Sequence, residues 1–110
     1  DLLTSVGMSI LCLPDEAAKE AVGLIDAKSR TRVIDASTAY RVDPQWAYGF
    51  PELSSAQARK IAGASRVSNP GCYPQGFIAV VKPLPGSPPI MALAGTMQSS
   101  KITSQVTAPR

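Results

Sequence analysis

The sequence predicts an α/β fold built on a parallel sheet. Two observations carry this expectation. A short apolar run, Met8-Ser9-Ile10-Leu11-Cys12-Leu13, stops at Pro14 and reads as a buried parallel strand. A helical repeat and a second strand follow it at the spacing of a right-handed βαβ crossover.

The elements follow in order. The chain enters the first strand almost at once after Asp1. Asp15 is suited to cap the next helix, in which Ala17, Ala18, Ala21, Val22, Leu24 and Ile25 recur at helical spacing. Glu16, Lys19, Glu20 and Asp26 lie on its other face. Arg32-Val33-Ile34-Asp35 reads as the second strand. Residues 37–51 carry Tyr40, Trp46, Tyr48 and Phe50 among turn formers and read as a long ordered loop. Its aromatic residues are expected to pack rather than to form a ligand platform. Ser54-Ser55-Ala56-Gln57 matches a capping box and starts a helix that runs to about Gly63. Arg66-Val67-Ser68 is a third short strand. Pro70-Gly71 then turns the chain, and Pro74 suits the first turn of a helix because its missing N–H would be unpaired there. The run Pro85-Gly86-Ser87-Pro88-Pro89 cannot continue that helix.

Bulk composition narrows the function classes. The chain has 110 residues, 45% hydrophobic and 17% charged, which fits one small globular domain and not a disordered segment. The net charge is +3, with Lys28-Ser29-Arg30-Thr31-Arg32 the local basic cluster. No aromatic-basic stripe accompanies that cluster, so it reads as a solvated loop and no nucleic-acid partner is expected. No stretch has the ~20 continuous apolar residues of a membrane span, and no membrane partner is expected. There are two cysteines and no histidine. Cys12, within its apolar run, is expected to be buried. No metal site is expected.

The chemistry concentrates in Ser68-Asn69-Pro70-Gly71-Cys72-Tyr73-Pro74-Gln75-Gly76. This run places Cys72 between a strand end and a helix start. A thiol there meets the positive end of the helix dipole and unpaired N–H groups, an environment that favours the nucleophilic thiolate. The same N–H groups suit an oxyanion formed when the thiolate attacks a carbonyl.

Ser-Asn-Pro-Gly-Cys-Tyr-Pro closely resembles the active-site motif of the N-acetyl-gamma-glutamyl-phosphate reductases, and more loosely that of the aspartate-semialdehyde dehydrogenases. Ile10-Leu11-Cys12-Leu13-Pro14-Asp15, Val33-Ile34-Asp35-Ala36-Ser37-Thr38-Ala39-Tyr40-Arg41 and Tyr48-Gly49-Phe50-Pro51-Glu52-Leu53 resemble the same reductases in the right order. The resemblance covers about residues 1–84 and is to the shorter form of the enzyme. It implies a partial Rossmann-like parallel sheet with crossover helices, followed by the start of a catalytic α+β domain. Residues 1–70 would end the dinucleotide-binding domain, 71–84 would begin the catalytic domain, and 85–110 are an unmatched, irregular tail.

The implied reaction is NADPH-dependent reduction of an acyl phosphate, N-acetyl-gamma-glutamyl phosphate, in arginine biosynthesis. Cys72 would expel phosphate to give a thioester, and hydride from NADPH would reduce it. Arg41, whose guanidinium can grip a carboxylate or phosphate through paired hydrogen bonds, is the candidate substrate-binding residue, against a surface salt bridge with Asp43. Asn69 could orient the nucleophile or an oxyanion, or simply make the Asn-Pro turn. Ser37, and Leu13 with Pro14, fall at the carboxyl ends of predicted parallel strands, where ligands of open α/β sheets bind. They are the candidate cofactor-binding residues, with a turn-capping role the alternative for Ser37 and for Asp35. Gly71 serves backbone geometry. Gln75 stands where the family commonly has a small residue, often Thr, and its length is expected to crowd the site.

The resemblance places the family's histidine base downstream and its Gly-rich pyrophosphate loop upstream. The chain is therefore expected to be a piece of a larger cytoplasmic, homo-oligomeric enzyme, inactive and weak in NADPH binding alone. A sibling acting on aspartyl phosphate, or a non-catalytic remnant serving as an interaction module, remain the alternatives.

Overall fold

A computed structural model describes residues 2–86 of the chain. The expected tail from residue 87 onward lies outside the described residues. The order is α1 (Leu2–Ser5), β1 (Met8–Leu11), α2 (Asp15–Leu24), β2 (Arg32–Asp35), β3 (Ala47–Tyr48), a 3-10 turn (Pro51–Leu53), α3 (Ser55–Gly63), β4 (Arg66–Ser68) and α4 (Cys72–Val81). The four strands form one sheet in the order β1-β2-β4-β3, and every pairing is parallel. The predicted α/β fold with a parallel sheet is therefore present.

Parallel pairing aligns one row of residues across the sheet. Leu11 pairs with Asp35, Asp35 with Ser68, and Ser68 with Tyr48. Because side chains alternate between faces, these four share one face. Two helices cover it. Ile25, just past α2, packs with Leu11, Val33 and Trp46, and Ala21 and Val22 of α2 flank that cluster. Ile78 of α4 packs with Tyr48 and Phe50, flanked by Leu53 and Val81. Trp46, Tyr48 and Phe50 are thus packing residues, as expected. Tyr40 stacks on Trp46 at a ring separation of 4.1 Å.

The capping expectations divide. Ser54 caps α3 through its side chain, which accepts a hydrogen bond from the Gln57 N–H at 3.0 Å. The Gln57 amide does not complete a reciprocal box; it donates to the Tyr48 carbonyl. Asp15 does not cap α2. Pro14 holds the cap position, and Asp15, one residue inside, instead accepts hydrogen bonds from the Thr38 N–H and hydroxyl. The other end of α3 is held by Arg32, whose guanidinium donates to the carbonyls of Ile61, Ala62 and Ala64. A cation at a helix carboxyl end satisfies orphan carbonyls and opposes the dipole.

Three expectations are corrected. A short helix, α1, precedes the first strand, and its neighbourhood is held by Thr31, which donates to the carbonyls of Thr4 and Val6. The long loop contains a strand: β3 is only two residues, and the chain leaves it through Gly49. A Cβ on Gly49 would lie 2.9 Å from the Ser68 carbonyl oxygen, so this close approach requires glycine. Cys12 is exposed, not buried. β1 ends at Leu11 and is an edge strand with alternating burial, so Cys12 falls past the packed segment, and Met8 and Ile10 are also exposed.

One packing feature is costly. The Tyr48 hydroxyl is buried without a hydrogen-bond partner among the described residues. Burial raises the phenol above its ordinary value of 10.0, with nearby Arg41 opposing the shift. Because the folded value is raised, the neutral phenol's contribution is fully present below pH ~10 and is lost as pH rises through the folded value. Tyr48→Phe removes the orphan hydroxyl, and urea unfolding near pH 7 is expected to show about 1 kcal/mol of added stability. The variant should also lose less stability above pH 10 than the parent. A variant less stable than the parent at pH 7 would mean that the hydroxyl has a stabilising partner.

Candidate functional site

In a parallel sheet all carboxyl ends point to one edge, and the candidate residues collect there. Leu13 and Pro14 follow β1, Ser37 and Arg41 follow β2, and Asn69 and Cys72 follow β4. Two sets of polar contacts draw the three loops together.

The first set joins the loops after β1 and β2. Asp15, next to Pro14, is bonded to Thr38, next to Ser37. Leu13, Pro14 and Ser37 are thereby brought to one side of the edge. Leu13 and Pro14 are exposed; Ser37 is buried. The Ser37 hydroxyl donates to an Asp35 carboxylate oxygen at 2.6 Å and accepts from the Ala39 N–H at 3.1 Å. Its hydroxyl is used in the turn, as the capping alternative foresaw. The other oxygen of the fully buried Asp35 carboxylate has no hydrogen-bond partner among the described residues.

The second set joins the loops after β2 and β4. The Asn69 N–H donates to the Asp35 carbonyl at 2.7 Å. Arg41 donates from Nε to the Asn69 carbonyl at 3.1 Å and from Nη2 to the Ala36 carbonyl at 3.2 Å. Arg41 thus binds backbone carbonyls, not the Asp43 carboxylate, which accepts from the Gln45 N–H. Pro70 is buried, and Gly71 occupies the cap position of α4 with extended backbone.

Cys72 is the first residue of α4 and is exposed. No side chain among the described residues caps this helix, which leaves N–H groups of its first turn without a side-chain partner. Pro74 is buried within that first turn, as its missing N–H allows. Gln75 is exposed, and its N–H bonds the Gly71 carbonyl within the helix. The sequence placed Cys72 between a strand end and a helix start, and that is its position.

A dinucleotide has an apolar ring end and an anionic diphosphate. The exposed Leu13–Pro14 lip suits the ring end. The adjoining start of α2 does not suit the diphosphate, because Asp15 and Glu16 stand in its first turn. Among the described residues no cluster of His, Cys, Asp and Glu could hold a metal ion. No helix among them is long and apolar enough to cross a membrane.

Residues 1–61 match the family model described as semialdehyde dehydrogenase, NAD binding domain. The chain belongs to this family. The resemblance to the reductases is borne out by curated relatives. N-acetyl-gamma-glutamyl-phosphate reductases of Sinorhizobium medicae and Brucella ovis are each 57% identical over 84 residues, 76% of this chain and 27% of theirs. The protein of the same name from Rhizobium meliloti is 55% identical over the same share. The chain therefore spans about a quarter of the length of these relatives. A crystal structure of aspartate semialdehyde dehydrogenase II from Vibrio cholerae, complexed with ASA, superposes with a TM-score of 0.58 over 74% of this chain and 26% of that one. At 18% identity it shows the shared fold alone. The Rossmann-like reading of the sheet agrees with both the family and this neighbour.

Although both thiols are exposed, they differ in surroundings. Cys72 adjoins the uncapped start of α4, whereas Cys12 lies three residues before Asp15 and Glu16 begin α2. Limiting iodoacetamide at neutral pH is expected to alkylate Cys72 first, as read by peptide mass mapping. Preferential alkylation of Cys12 would remove the assignment of Cys72 as the activated thiol.

Proposed function

We propose that the chain is part of an NADPH-dependent N-acetyl-gamma-glutamyl-phosphate reductase, carrying its nucleophile. The observation that supports this most directly is the exposed Cys72 thiol at the uncapped start of α4, on the carboxyl edge of the parallel sheet. The names of relatives 57% identical over 84 residues supply the substrate.

In this reading Cys72 Sγ attacks the acyl carbon of the acyl phosphate. The S–C bond forms, the C–O bond to phosphate breaks, and the first-turn N–H groups of α4 hold the oxyanion in between. The product is a thioester on Cys72. NADPH, when bound, supplies a hydride to that thioester. Breaking the C–S bond of the reduced adduct would release the semialdehyde and leave Cys72 as the thiolate that began the reaction. Leu13 and Pro14 line the ring end of the cofactor, and Ser37 supports that edge through the turn it closes. Arg41 and Asn69 face the substrate. Nη1, the guanidinium nitrogen that carries no hydrogen bond here, is the Arg41 atom free for the substrate's phosphate or carboxylate.

Residues 1–70 then complete the dinucleotide-binding domain, and 71–84 open the catalytic domain. The general base lies outside this chain, which has no histidine. A cytoplasmic, homo-oligomeric full-length enzyme acting on a small molecule goes with the same reading. The aspartyl-phosphate alternative has only the shared fold behind it.

The test is a chimera in which residues 1–84 replace the corresponding part of a full-length short-form reductase. Phosphate-dependent oxidation of N-acetylglutamate semialdehyde is expected to fall at least a thousandfold on Cys72→Ser, because a hydroxyl is far less ionised than a thiol near neutral pH and a poorer leaving group. Gln75→Thr should leave the rate equal or higher. Turnover that survives in Cys72→Ser would refute the covalent route.

A further inference from the structure

The geometry points to Arg41 as a positioning residue that sets the backbone turn on which Cys72 is presented. This rests on the reading of Cys72 as the nucleophile and adds to the substrate contact proposed for Nη1.

The backbone of Asn69 is held through both its N–H and its carbonyl. Its N–H meets the last carbonyl of β2, at Asp35, and its carbonyl meets Arg41 Nε. Nη2 of the same guanidinium reaches the Ala36 carbonyl. One planar group therefore ties the residue after β2 to the residue after β4. Its rigid fork lets two donors meet two fixed acceptors, which a lysine ammonium on a flexible stem does not reproduce.

Gly71 closes the arrangement. A Cβ there would lie 2.7 Å from Arg41 Nη1 and 3.3 Å from its Cζ. The guanidinium lies against the backbone of the residue that caps α4, and Cys72 is the next residue. Between the anchored Asn69 backbone and Cys72 stand only Pro70, with φ fixed by its ring, and Gly71. Glycine is the freest residue in the chain's repertoire, so something external must restrict it if Cys72 is to hold one position. The guanidinium face is that restriction. Its charge is delocalised over three nitrogens and, with two of them bonded to carbonyls, it stays in place without a carboxylate partner.

The test uses the 110-residue chain, with Cys12 as an internal reference. The ratio of Cys72 to Cys12 alkylation by iodoacetamide is measured for the parent, Arg41→Ala, Arg41→Lys, Gly71→Ala and the double variant Arg41→Ala/Gly71→Ala, with circular dichroism to confirm folding. Arg41→Ala is expected to lower the ratio by about tenfold, the scale of losing charge-assisted hydrogen bonds. Guanidinium chloride at sub-denaturing concentration should restore part of that loss, and sodium chloride at equal strength should not. Arg41→Lys should resemble Arg41→Ala. Gly71→Ala should lower the ratio in the parent and add nothing in the Arg41→Ala background, since the clash is then gone. An unchanged ratio in folded Arg41→Ala would overturn the proposal. So would an equal loss at both thiols, or a loss restored by salt, because each marks a general effect on the fold or on charge. Failure of the nucleophile reading itself is separate: it appears in the parent chain as a ratio favouring Cys12.

Discussion

The parallel pairing of β2 with β4 is the constraint on which the rest of the structure depends. The thirty residues between these strands, which include β3 at the far side of the sheet, bring the chain from Asp35 back to Arg66, alongside the strand it left. This puts Asp35 beside Ser68 in register and sends both strand ends to one edge. Everything chemical follows from that adjacency. The loop after β2 supplies Ser37 and Arg41, and the loop after β4 supplies Asn69 and Cys72. Neither loop could brace the other if β4 ran antiparallel, because the two ends would then lie on opposite edges.

The arginines show how both edges of the sheet are stabilised, Arg32 and Arg66 where strands begin and Arg41 where they end. Arg32 donates to the final carbonyls of α3, Arg66 to the carbonyl of Thr31, and Arg41 to those of Ala36 and Asn69. In each case a side chain that composition counts as surface charge closes a backbone gap where a strand or helix ends. The ion pair Lys19–Glu16, in contrast, lies on the exposed face of α2 and contributes little. Charge in this chain serves backbone geometry more than pairwise attraction.

Much of this was legible in the sequence. β2 and β4 are centred on their β-branched residues, Val33-Ile34 and Val67, and the Ser54 cap and the start of α4 at the Gly71–Cys72 junction follow from local chemistry. The position of Cys72 at the start of α4 was legible for the same reason: it is set by neighbours in sequence. The misses are long-range. Ala47–Tyr48 is too short to show a period and forms a strand only because β4 arrives beside it. The apolar run around Ile10 reads as buried on both faces, yet β1 is an edge strand here and Cys12 lies past its end. Asp15 reads as a cap because a cap is the nearest use for it; its real partner, Thr38, is 23 residues away. The two carbonyls that Arg41 binds, five and 28 residues off, leave no pattern that spacing could reveal.

The claim most open to direct test is that a thioester forms on Cys72. The chimera carrying residues 1–84 would be incubated with N-acetylglutamate semialdehyde and NADP+, with phosphate withheld. Without phosphate the acyl group has no acceptor. The account predicts a burst of NADPH and an intact-mass increase equal to one N-acetylglutamyl group, located at Cys72 and released by hydroxylamine. Turnover in the presence of phosphate with no adduct at Cys72 in its absence, or an adduct at Cys12 or a lysine, would contradict it.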